Sequence, residues 1–129
     1  MTIIRHSEQP ETRGYFSKVT NRRIITQAAG ARSFEVWDQV LPPGGFITAH
    51  SHEFEESLTF LVGLAEVEVA GEVSRVGPDT TVFLSPGVVH SVRNIGKLPV
   101  RLLAVLLSPE PKLVYPSGSP PPVLWNESH

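Results

Sequence analysis

The chain has 129 residues, 40% hydrophobic and 19% charged, enough apolar material for one packed domain and too much for a disordered one. Lysine and arginine total 11 against 13 aspartate and glutamate, a formal charge of −2, which argues against a nucleic-acid or anionic-membrane partner. Cysteine is absent, so disulfides, thiolate metal sites and cysteine nucleophiles are excluded. No apolar run approaches the roughly 18 residues of a membrane span, and the residues after Met1 lack a secretory apolar stretch, so a cytoplasmic address is expected.

Residues 1–32 read as a polar, irregular lead-in with room for one short edge strand, ending in a linker-like patch over 27–32. Strand signals then dominate. Residues 34–41 are rich in β-formers and stop at Pro42-Pro43-Gly44-Gly45. Residues 58–62 stop at Gly63, and 65–69 alternate apolar and acidic. A turn over 70–72 leads into a strand over 73–76. Residues 80–84 end at Ser85-Pro86-Gly87, and strands over 88–94 and 100–107 follow. No segment sustains a helical period, and short strands at this spacing predict an all-β sandwich or barrel over 33–108. The strand 100–107 is apolar on both faces, one for the barrel interior and one for another layer or a second subunit. A homodimer is therefore expected. Residues 109–129 carry six of the 12 prolines and read as either disordered or an extended arm, with Leu124 and Trp125 favouring packing on a neighbouring surface.

The chemistry concentrates in residues 44–56. His50 and His52 are two apart, so on a strand both face one interior. Glu56 follows four residues later, and a bend around Glu53 and Phe54 returns a carboxylate to the same space. His90, just after the Ser-Pro-Gly turn, is the natural fourth donor. Imidazoles with a carboxylate suit a divalent transition metal that keeps open positions. Glu55 is the competing carboxylate. Strand parity extends the pocket to Thr48 beside His50, to Trp37 and Gln39, to Phe60, and to Leu102 and Leu106. His6 and His129 are expected to be solvated, and Asn94 to hold a turn.

On these residues the chain resembles the cupin superfamily. Gly44, His50, His52, Glu56 and Gly63 match its first motif, G-x5-H-x-H-x3,4-E-x6-G, at every specified position. Gly87, His90 and Asn94 match its second, G-x5-P-x-G-x2-H-x3-N, with Ser85 in place of the proline and Asp79 in place of the first glycine. The resemblance implies a double-stranded β-helix, a jelly-roll barrel of two antiparallel sheets that is often dimeric. It also implies a metal held by His50, His52, Glu56 and His90, for which Fe, Mn, Ni, Cu, Co or Zn would fit. The function expected is a metal-dependent enzyme acting on a small organic substrate by dioxygenase-, isomerase- or lyase-type chemistry, with no residue singled out as catalytic. A non-catalytic module that binds or senses a small ligand is the alternative.

Overall fold

Turn-forming residues cut this chain into strands too short to fold alone, so each must find partners, most of them far away in sequence. A computed structural model describes residues 1–13 and 18–116. The strands are β1 (Thr12–Arg13), β2 (Thr20–Ile25), β3 (Glu35–Leu41), β4 (Phe46–His50), β5 (Glu56–Val62), β6 (Ala65–Val69), β7 (Glu72–Val76), β8 (Thr80–Leu84), β9 (His90–Asn94) and β10 (Val100–Leu106). They form two antiparallel sheets, one in the order β1-β2-β3-β10-β5-β8 and one in the order β4-β9-β6-β7. The sheets face each other over a core that includes Leu41, Phe60, Leu84, Val92, Val100 and Leu102. This is the jelly roll that the cupin resemblance implies.

β10 shows how parity builds the barrel. Val100, Leu102, Ala104 and Leu106 are buried in the core, while the residues between them face outward. β10 lies between β3 and β5, pairing Leu106 with Glu35 on one side and with Glu56 on the other.

The lead-in contributes a full strand. β2 pairs with β3 from Thr20–Val40 to Ile25–Val36, and Val19 packs in the core. Its sequence hides this, because Asn21 lies across from Gln39 and Arg23 across from Trp37, which puts polar side chains where a strand signal needs apolar ones. A register shift between Arg23 and Ile25 breaks the alternation as well.

Two turns fix the ends of the site strands. In the Ser85-Pro86-Gly87-Val88 turn, the Val88 N–H donates to Ser85 O at 3.3 Å and Gly87 has φ +82°, the geometry of a type II turn. Gly63 has φ +90°, and a Cβ there would lie 2.5 Å from Pro99 O and 2.8 Å from Val100 Cα. Asp79, which replaces a motif glycine, has φ +59°, a conformation that aspartate tolerates better than most residues.

Asn94 holds the opposite end of β9. Its side-chain amide donates to Leu41 O at 2.9 Å and Leu98 O at 2.8 Å, and its Oδ1 accepts from the Gly96 N–H at 2.8 Å.

Candidate metal centre

His50 ends β4 and His90 begins β9, and the two are directly paired across the four-stranded sheet. Their ring centroids are 4.3 Å apart. His52 follows β4, before a bend at residues 53–54 that delivers Glu56 to the first position of β5, in the other sheet. The site is thus assembled between the sheets. His50, His52, Glu56 and His90 are all buried. The ligand atoms of the three histidines lie within 4.8 Å of one another. Glu56 Oε1 lies 2.7 Å from His52 Nε2 and 3.5 Å from His90 Nε2.

Each ring is oriented the same way. Nδ1 of His50 donates to Thr48 O at 2.7 Å, Nδ1 of His52 to Phe54 O at 3.0 Å, and Nδ1 of His90 to Val88 O at 3.1 Å. A carbonyl only accepts, so Nδ1 carries the proton and a neutral ring keeps a lone pair on Nε2. Outer-shell hydrogen bonds of this kind are how proteins prepare histidine ligands. The contact between His52 Nε2 and Glu56 Oε1 then brings two acceptors together, and a cation is needed between them, a proton or a metal ion. The donor set fits a divalent transition metal. Burial, followed by the neighbouring His90, pushes the His50 imidazole down to about 4, so it is neutral at physiological pH. Burial pushes the Glu56 carboxyl up, but the adjoining His52 and His90 side chains outweigh this and hold it below its usual range. Phe54 stacks on His52 with ring centroids 4.0 Å apart and planes 8° from parallel.

The site opens on a small, open-mouthed cavity. Trp37 and Gln39 line it together with His50, Glu56 and His90. Trp37 is held from behind: its indole N–H donates to Glu35 Oε1 at 2.7 Å, and Arg23 donates to both oxygens of Glu35. Next to Gln39 across the strands, Asn21 is 1% exposed and neither side-chain amide atom has a partner.

Other expected residues fall elsewhere. Thr48 does not line the cavity; a register shift between Ile47 and His50 puts Ile47 on the inner face, and Thr48 serves through its carbonyl. Phe60 and Leu102 have the inward parity but sit in the packed core away from the cavity, whose walls from β5 and β10 are Leu58 and Leu106. His6 is not simply solvated: its Nδ1 lies 2.7 Å from Asp38 Oδ2, which also accepts from Arg101. Leu124, Trp125 and His129 lie outside the described residues.

Sequence reasoning missed the start of the proline-rich arm. Ser51 and Val114 exchange two backbone hydrogen bonds of 2.8 Å, Leu113 lines the cavity, and the Tyr115 ring centroid is 6.1 Å from that of His50. Burial pushes the Tyr115 phenol up to about 12, so it keeps its proton. The apolar run Leu113-Val114-Tyr115 was the available signal, obscured by the prolines at 109, 111 and 116.

Residues 37–106 match the Cupin domain family, more than half of the chain. The chain is a cupin. Over 107 residues this cupin is 31% identical to the tetracenomycin polyketide synthase protein TcmJ of Streptomyces glaucescens, covering 80% of this chain and 72% of the relative. Among solved structures, the polyketide cyclase RemF of Streptomyces resistomycificus superposes with a TM-score of 0.80 at 22% identity, covering 95% of this cupin and 89% of RemF. A predicted oxalate decarboxylase of Thermotoga maritima gives a TM-score of 0.75 at 21% identity, covering 83% and 99%. The structural likenesses establish the fold. Among the described residues no helix is long and apolar enough to cross a membrane.

Proposed function

We propose that this cupin is a metal-dependent enzyme acting on a small organic substrate, with a divalent transition metal held by His50, His52, Glu56 and His90. The observation that carries this reading is the common orientation of the three rings, each with Nδ1 bound to a backbone carbonyl, which leaves Nε2 as the ligating atom. Fe, Mn, Ni, Cu, Co and Zn all suit these donors. When bound, such a metal supplies Lewis acidity toward a substrate oxygen.

This chain's own residues bind and orient. Trp37, Ile47, Leu58, Val92 and Leu106 give the cavity apolar walls, and Gln39 offers a carboxamide to a substrate carbonyl or hydroxyl. Apolar walls with few polar groups fit a polyketide, the substrate class suggested by the name of the 31%-identical relative. Among the described residues, Glu56 and Gln39 are the non-histidine polar side chains lining the cavity, which favours metal-centred chemistry of the dioxygenase, isomerase or lyase type over proton shuttling.

The test is elemental analysis of the chain purified without added metal, followed by turnover assays on aromatic polyketides with and without oxygen. One transition metal per chain is expected, with affinity at least about tenfold lower in His52→Ala and in His90→Ala. A metal-free wild type that fails to take up any of these ions overturns the proposal. Full metal occupancy without turnover would instead make the chain a non-catalytic binding module. Oxygen dependence separates dioxygenase-type chemistry from the other two.

A homodimer and a cytoplasmic location belong to the same proposal. On the outer face of the six-stranded sheet, Leu103 and Val105 are half-buried and Phe83 is 59% exposed, an apolar surface suited to a second copy. The mass in solution at micromolar concentration tests the dimer.

A further inference from the structure

The segment that follows the barrel is bound to the ligand strand itself. Ser51 stands between His50 and His52, and its N–H and C=O both bond to Val114 at 2.8 Å. Farther back, Gln27 Nε2 donates to Pro109 O at 3.1 Å, so residues 109–114 are tied to the barrel at both ends. The pairing fixes parity: Val114 is 56% exposed, whereas Leu113 and Tyr115, one to each side, are half-buried. Leu113 reaches the cavity wall and Tyr115 lies beside the His50 ring.

We propose that Leu113 and Tyr115 are specificity-determining residues, a wall laid across the cavity mouth that sets the size of molecule able to reach the histidines. The proposal rests on the metal reading for its consequence in substrate choice and on the strand pairing for the barrier itself. A small ligand passes beside the wall. A ring-sized one meets the Leu113 side chain and must lift a segment held by two backbone hydrogen bonds. Because the segment pairs with the residue between two candidate ligands, any shift in it is felt where the ligand meets the rings.

Two variants probe this from different directions. Leu113→Ala/Tyr115→Ala removes the wall and leaves the backbone pairing. Val114→Pro removes the N–H that bonds to Ser51 O and leaves both side chains. Each is loaded with Co(II), and azide and 4-nitrocatechol are titrated while the visible spectrum is followed. The expected result is unchanged azide affinity and about tenfold tighter 4-nitrocatechol binding in both variants, the size of effect that one apolar side chain has in a pocket. In parallel, the metal-free proteins are treated with diethylpyrocarbonate and His50 modification is followed by peptide mass spectrometry. His50 should react several-fold faster in both variants, with His6 unchanged as the internal control. Equal His50 rates in wild type and variants overturn the proposal, as does equal gain for azide and 4-nitrocatechol. A wild type that takes up no Co(II) refutes the metal reading alone, because the modification rates still decide whether the wall exists.

Discussion

Glu35 shapes the cavity without touching it, accepting the Trp37 indole N–H and a forked pair of hydrogen bonds from Arg23 while 1% exposed. Removing one partner of such a pair strands the other. Glu35→Ala should cost about 3 kcal/mol in urea unfolding, with a shift in tryptophan emission in the folded state. Asn21 is the opposite case. Its amide is buried without a partner, so Asn21→Leu should raise stability by about 1–2 kcal/mol, read from the urea midpoint at unchanged slope. The four candidate ligands were legible because their spacing is itself chemical information, with His50 and His52 two apart and Glu56 and His90 at motif distances. Thr48 was misplaced because parity counts residues, and a register shift adds one without leaving any mark in the sequence.

The turns between elements carry demands that a single methyl group can violate. Gly63 joins β5 to β6 with positive φ and with the chain at Pro99 and Val100 pressed against it. Gly63→Ala should therefore destabilise by about 3 kcal/mol, combining backbone strain and overpacking, as a lower thermal midpoint in circular dichroism. Elements bounded by clear breakers were read at or near their true bounds. β6 and β8 match the expected 65–69 and 80–84, and β3 begins one residue after its expected start. β2 was not legible as a full strand, because Asn21 is polar yet buried and Arg23 finds its ion-pair partner Glu35 on β3, neither of which a local pattern shows. The same blindness hid the Ser51–Val114 pairing, which joins residues far apart in sequence.

At the scale of the molecule, Asp38 ties three distant pieces together: His6 near the start, its own strand β3, and Arg101 on β10. Burial pushes its carboxyl up, but Arg101 and His6 outweigh this and hold it below its ordinary value. The folded state therefore prefers the ionised form, and the resulting stability is present above the unfolded pKa of about 3.9 and lost as pH falls through the lower folded value. Urea midpoints should fall from about pH 5 downward, and Asp38→Asn should lower the midpoint at neutral pH while flattening that acid limb. The fold class was legible, since many short strands without a helical period allow few architectures. Strand order was not, because nothing local to β10 says that it belongs between β3 and β5. That order also governs how the chain is made. Synthesis delivers β3 and β5 long before β10, so the nascent six-stranded sheet has a strand-wide slot at its centre, bordered by two unpaired edges. The β10 of a neighbouring copy could fill that slot, so strand exchange between copies is the assembly error to which this strand order exposes the barrel.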